Sequence, residues 1–381
     1  MDGHTQHLVF APAKAPGSAA LGHLMTTASV SGRANGTLPA VSASSFSDAS
    51  RRVGQVHSCS YGVAGYHIRL RFAGPALVPK LTLALDHLPP PTLPTPDLTV
   101  HIWDSVSTGS VSPPLPADVG GTGALNRRLL YEEPPVRAVF KPGRQTLSVL
   151  DDSRGEAWFW CVDAADVPYW ERGTPLLLIL HWWLSAHGRQ LVHAGAVGTE
   201  RGGVLVVGRG GSGKSTTAMA SLLAGLDYAS DDFVLVGTDP VPMVHSLYNS
   251  GRLEPHHIRR FPELVPMITN ADELDTEKAL IFVRQFAPER ASSGFPLQAI
   301  LLPTVTGRSP TQVVKASAGA TLAALAPSTI FQLPGAGAPA LGAMAALARR
   351  VPGYVLQLGT ELSGIAPVIK RLLQELQGTR L

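Results

Sequence analysis

The sequence predicts an α/β protein whose C-terminal part is built on a mixed sheet and is preceded by a β-rich region. Three observations predict it. Runs that alternate apolar and polar residues, as half-buried strands do, dominate between residues 51 and 173. A glycine-rich stretch, "GRGGSGKST" from Gly208, stands between an apolar strand-like run and a helix-like run. Beyond it, buried-strand and helical patterns intermix without an internal repeat, which is the signature of a mixed α/β unit. The reading divides the chain into a poorly ordered segment (1–50), a β-rich domain (51–173) and an α/β domain (174–381).

The elements follow in order. Residues 15–50 are rich in Ala, Ser and Gly ("SASSFSDAS") and show little periodicity, so they are read as lacking order. "YHIRLRFAG" and "PKLTLALDHL" alternate as strands do, and "PPPTLPTPD" then enforces a loop, because proline fixes φ and lacks an N–H. "LTVHIWDS", "VRAVF" and "TLSVLDD" are further strand patterns. "TPLLLILHWWLSA" from Thr174 is a buried helix, too short to span a bilayer. "LVHAGAV" and "GGVLVVG" read as strands joined by "GTERG", "STTAMASLLAG" as a helix closed by Gly225, and "YASDDFVLV" as the next strand. "KALIFVRQF" and "LQAILLPTV" are buried strands. "GATLAALAP", "ALGAMAALARR" and "SGIAPVIKRLLQEL" are helices.

Composition narrows the function classes. The 381 residues suffice for about two domains, and 45% hydrophobic with 15% charged residues describes a globular chain. A net charge of +3 gives no electrostatic case for nucleic acid. Only Cys59 and Cys161 occur, without paired spacing, so neither a disulfide framework nor a zinc site is expected, and a reducing cytoplasm is. No secretory signal and no membrane association are expected either.

Gly208-Arg209-Gly210-Gly211-Ser212-Gly213-Lys214-Ser215 matches G-x-x-x-x-G-K-[ST], and Thr216 follows. Glycines let the backbone curl so that successive N–H groups converge on phosphate oxygens, and the helix that starts here adds its positive end. Lys214 then reaches the terminal phosphates of ATP, and the Ser215 hydroxyl ligates Mg²⁺. Asp231 and Asp232 follow at the end of the next strand. Adjacent strand residues point to opposite faces, so the pair divides its work: one for the metal, the other for an acceptor proton. His193, one strand earlier, reads on its own as a satisfied core histidine.

Together these residues, "VHAGAV…GVLVVGRGGSGKST…YASDDFVLV", resemble the catalytic core of HPr kinase/phosphorylase and its wider family of P-loop serine kinases. The likeness covers about Leu191 to Val236. It implies a P-loop kinase core of the HPr-kinase type, ATP and Mg²⁺ as cofactors, a peptide or protein acceptor and a possible homo-oligomer. By position it implies that Asp231 holds Mg²⁺, that Asp232 is the base and that His193 sits by the γ-phosphate. The family's downstream Glu-x-Arg-Gly-x-Gly signature is absent. "HSLYNSGRLEP" stands there instead, similar to a "YxSxKL" segment of relatives that include the lasso-peptide kinases. An acceptor other than HPr follows, docked near Tyr248 to Leu253, with Arg252 and Lys278 as basic residues beside the phosphate. A nucleotide-dependent switch or scaffold and a small-molecule kinase are the rival classes. The switch has no use for a base aimed at an acceptor. His256 and His257 read as surface residues, and the two cysteines as inert thiols.

Overall fold

The computed structural model describes residues 37–114, 128–308 and 310–378. Residues 37–381 cluster as one unit. Its first part runs α1 (Leu38–Val53), β1 (Val56–Val63), β2 (Tyr66–Ala73), α2 (Val78–Leu81), β3 (Leu98–Asp104), α3 (Ser105–Thr108), β4 (Arg128–Glu133), β5 (Val136–Lys141), β6 (Thr146–Asp151) and β7 (Glu156–Cys161). These strands form one sheet in the order β1-β2-β3-β7-β6-β5-β4, antiparallel except where β3 lies parallel to both β2 and β7.

Helices α4 (Tyr169–Gly173) and α5 (Leu177–Ala186) lead into the second part. It comprises β8 (Gln190–His193), β9 (Gly195–Thr199), β10 (Gly202–Val206), α6 (Lys214–Leu223), β11 (Asp227–Ser230), β12 (Phe233–Gly237), β13 (Met243–His245), β14 (Ser250–Leu253), α7 (Pro255–Ile258), β15 (Ala279–Phe282), α8 (Val283–Phe286), β16 (Gly294–Val305), β17 (Gln312–Ala316), α9 (Ala318–Gln332), α10 (Gly337–Arg350), β18 (Gly353–Leu358) and α11 (Ile365–Gly378). The twelve-residue β16 organises the larger sheet. Its start pairs antiparallel with β13, and its remainder runs parallel between β10 and β18. Those central strands are buried on both faces, which is why "GGVLV" and "LQAILL" are almost continuously apolar. Helices α6 and α11 cover one face and α9 the other. The short pair β14–β15 stands apart.

Helix α5 joins the two sheets. It is apolar on nearly every side, as a helix enclosed all round must be, and it packs on β6 of one sheet and β8 of the other. Trp183 meets Tyr66 of β2 edge to face at 5.1 Å and stacks on His187 at 4.2 Å. One core consequently runs from Ile68 and Phe72 through Trp183 to Leu235 and Ile300. The boundary expected at 173/174 falls between α4 and α5, inside that shared core.

Several local readings need correction. The stretch expected to lack order contains α1, where Pro39, Ser42, Phe46 and Ala49 recur at helical spacing and are buried on the first sheet; residues 1–36 lie outside the described residues. "PKLTLALDHL" forms α2 and turns, because Leu81, Ala84, Leu85 and Leu88 share one buried face at a 3–4 residue period. "LVHAGAV" and "YASDDFVLV" are each two strands, broken at Ala194 and at Asp231-Asp232. "KALIFVRQF" leaves the sheet after Phe282 to become α8.

Trp183→Ala should lower stability by about 3–5 kcal/mol, as large-to-small changes in a closed core do. Because the core is shared, unfolding should remain a single transition by every probe. Two separated transitions in the unmutated protein would show that the sheets fold independently.

Candidate functional site

Two broken strands build the site. β8 pairs with β12 on one side of the break, with His193 opposite Phe233, and β9 pairs with β11 on the other, with Ala196 opposite Ser230. Across the break the Ala194 N–H donates to the Asp232 carbonyl at 3.0 Å. Ser230 Oγ donates to the Phe233 carbonyl at 2.7 Å and accepts from the Asp232 N–H at 3.3 Å, which shapes the kink. Out of the regular pleat, Asp231 and Asp232 no longer alternate across a sheet, and both line one cleft of about 530 Å³.

The glycine loop forms the floor. The Val207 N–H at the end of β10 donates to the Leu301 carbonyl of β16, so the loop springs from the middle of the sheet. Gly208, Gly211 and Gly213 all have positive φ (142°, 75° and 107°), conformations that side chains rarely adopt. A Cβ on Gly213 would collide with Leu358, whereas one on Gly210 or Gly211 would meet nothing within 4 Å. The loop is thus tight on its inner side and open on its outer side. Ser212 packs behind it against Gly208, and Arg209 is exposed. Lys214 opens α6, is buried, and its ammonium donates to the carbonyls of Gly208 at 2.9 Å and Arg209 at 3.3 Å. Ser215 and the buried Thr216 follow on the cleft wall.

The two aspartates have different surroundings. Asp231 is buried beneath the loop and accepts the Arg252 N–H at 3.0 Å, while its Oδ1 finds no hydrogen-bond partner among the described residues. Burial pushes its carboxyl pKa up; the Arg252 N–H, the nearby Ser215 hydroxyl and the charges of Arg252 and Lys214 pull it back. Asp232 receives His193 Nε2 at 2.9 Å on Oδ1 and an Arg252 ion pair on Oδ2. Burial lowers the His193 pKa to about 3, helped by Lys214 and Arg252, so the ring is neutral. Burial also lowers the pKa values of Lys214 and Arg252. Arg252 reaches in from β14, where the Tyr169 hydroxyl of α4 supports its charge.

All residues expected at the site therefore surround one cleft or the loop beneath it. Lys278 lines the cleft too, paired with Glu254 at 2.9 Å. The expected docking segment is largely inaccessible: Tyr248 is 1% exposed and donates to the Pro175 carbonyl, and Ser250 is 2% exposed. Its backbone and aromatic ring pack inward, and Arg252 and Leu253 alone of that segment reach the cleft. His257, read as a surface residue, contributes to the wall. Tyr169, Trp170 and Gln332 also line the cleft and carried no sequence signal. Both cysteines are free, and burial pushes the Cys161 thiol up.

Among the described residues no group of three His, Cys, Asp or Glu is placed to hold a metal. Mg²⁺ needs fewer protein ligands, since it keeps waters and takes phosphate oxygens. The unpartnered Oδ1 of Asp231 beside Ser215 has the chemistry for that ion. A buried carboxylate with one oxygen left without a hydrogen bond costs stability until a cation arrives. Asp231→Asn should therefore raise the melting temperature of the nucleotide-free protein at neutral pH, by about 2 °C for each kcal/mol relieved. It should also abolish any Mg²⁺-dependent stabilisation. A lower melting temperature for the variant would mean that Asp231 is already satisfied.

No protein-family model matches the chain, and no curated protein does. Among solved structures, the HPr(Ser) kinase/phosphatase from Coxiella burnetii is similar with a TM-score of 0.30 and 13% identity, over 50% of this chain and 99% of that one. A likeness at that level carries no weight for fold or function.

Proposed function

We propose that the protein is an ATP-dependent kinase that transfers the γ-phosphate to a serine or other hydroxyl of a peptide or protein. The observation that supports this reading is the convergence in one cleft of the glycine loop and Lys214, the Ser215–Asp231 pair, and Asp232 between His193 and Arg252. A nucleotide switch needs the first two groups; only transfer to an acceptor needs the third.

In this mechanism the loop N–H groups and Lys214 hold the β- and γ-phosphates, Lys214 exchanging its loop carbonyls for phosphate oxygens. Ser215 and Asp231 would hold Mg²⁺, which would supply charge neutralisation at the phosphates. The acceptor oxygen attacks the γ-phosphorus in line as the bond to the β-phosphate oxygen breaks, and its proton passes to Asp232. For that, Asp232 Oδ2 has to be freed from Arg252. The transferring phosphoryl group competes for the guanidinium, so the cation that restrains the base in the resting site stabilises charge during transfer. Neutral His193 keeps Oδ1 in place. A groove of about 950 Å³ between the loop and α9 adjoins the cleft at Gly210, Gly211 and Gln332. It favours an extended acceptor over a small molecule, which would call for an enclosed pocket.

Lys214→Ala should abolish turnover and weaken ATP binding, measured by calorimetry. Asp232→Asn should retain nucleotide and lose phosphoryl transfer by roughly two to four decades. Incubation with labelled ATP, HPr and short precursor peptides from the same genome tests the acceptor: hydrolysis that labels no acceptor would favour the switch. With its pKa near 3, His193 should contribute no inflection to the kcat profile between pH 5 and 8. The raised pKa of Asp231 implies that its proton competes with Mg²⁺ as pH falls, so the Mg²⁺ requirement should increase toward acid pH. An inflection near 6.5 that disappears in His193→Gln would overturn the neutral-ring assignment.

A further inference from the structure

Two residues one turn apart on α9 reach the same histidine. The His193 backbone N–H donates to Thr329 Oγ1 at 3.1 Å, and that hydroxyl donates onward to the Leu325 carbonyl at 3.1 Å. Gln332 Nε2 lies 3.3 Å from His193 Nδ1. An amide nitrogen only donates, so Nδ1 offers its lone pair and the ring hydrogen belongs on Nε2, which is 2.9 Å from Asp232 Oδ1. The opposite arrangement, with the amide oxygen toward Nδ1–H, would set the bare Nε2 lone pair against a carboxylate oxygen. Only a charged ring would relieve that repulsion, and burial beside Lys214 and Arg252 opposes a charged ring.

We infer that Gln332 is a positioning residue: by donating to Nδ1 it reinforces the Nε2–H tautomer that the Asp232 carboxylate already selects and holds the rotation of the His193 ring, and through that ring it keeps the Asp232 carboxylate in orientation. Only the kinetic consequence rests on the proposed kinase activity; the tautomer does not. Gln332 is exposed at the end of α9, so replacing it alters its polar contacts, the bond to Nδ1 among them, without opening the core. It also lines both the cleft and the neighbouring groove, so an acceptor in the groove would lie against the residue that braces the ring.

The test uses the full chain labelled with ¹⁵N-histidine, with His193→Gln to identify the His193 signals among the 13 histidines. The unmutated protein should show a protonated Nε2 and an unprotonated Nδ1. Gln332→Met, close in shape but without a donor, should keep the hydrogen on Nε2, which Asp232 still selects, and should shift the Nδ1 signal as its hydrogen bond is lost. Gln332→Glu, an acceptor, should draw a second hydrogen onto Nδ1 while Nε2 keeps the one that faces Asp232. In both variants kcat should fall roughly tenfold, the usual scale for losing a partner that orients a functional ligand. KM for ATP should stay within about twofold, and the melting temperature should be unchanged. Identical ring signals in the three proteins would overturn the inference. So would a change in the ring signals that leaves kcat unaltered. Absence of phosphoryl transfer in the unmutated protein would instead remove the kinase reading, and the ring signals would still decide the role of Gln332.

Discussion

The hydrogen bond from the Ala194 N–H to the Asp232 carbonyl is the constraint on which the site depends. It joins two strand pairs exactly where each strand breaks, so that both chains turn together from one part of the sheet to the other. A continuous pair would have sent the two aspartates to opposite faces and His193 away from one of them. The kink instead turns Asp231 beneath the glycine loop and Asp232 toward His193.

The electrostatics follow from packing these groups beneath the loop. Lys214, Asp231, Asp232 and Arg252 share a volume from which water is largely excluded, and each charge must be offset by another or by a hydrogen bond. Arg252 answers two needs, with its N–H on Asp231 and its guanidinium on Asp232. Lys214 takes loop carbonyls, and Asp231 keeps one oxygen without a partner. Such incomplete compensation is what a site for a polyanion and a cation should look like before either arrives. Those ligands carry the charges that complete it.

The β-rich part is structurally inseparable from this cleft. Burial lowers the His87 pKa to about 3, and the neutral ring contacts Ser246 Oγ at 2.6 Å, which in turn donates to the Ala229 carbonyl at 2.6 Å. Asn249 donates through its side chain to the Leu83 carbonyl at 2.8 Å and to Asp86 at 2.9 Å, and through its N–H to the Ala84 carbonyl. These bonds fix the segment that delivers Arg252. The turns after α2, which sequence periodicity assigned to a strand, are the supports of that segment. Tyr169 and Trp170 of α4 add the outer wall of the cleft.

The glycine loop, its flanking strand and helix, and the acidic pair were legible in the sequence because each is a local pattern with a local cause. A backbone that must curl around phosphate demands glycine at set spacings, and a buried parallel strand demands an unbroken apolar run. What the sequence could not carry was anything that depends on partners far along the chain. His193 on its own read as a core histidine, and its contacts with Asp232, 39 residues away, and with Gln332, 139 residues away, exist only in the folded chain. The Tyr248 segment was read as a docking surface from its resemblance to the "YxSxKL" segment, yet the core takes up its aromatic ring. Local chemistry decided which groups could act; the packing of distant elements decided which of them meet, because hydrogen bonds and burial are set by neighbours in space.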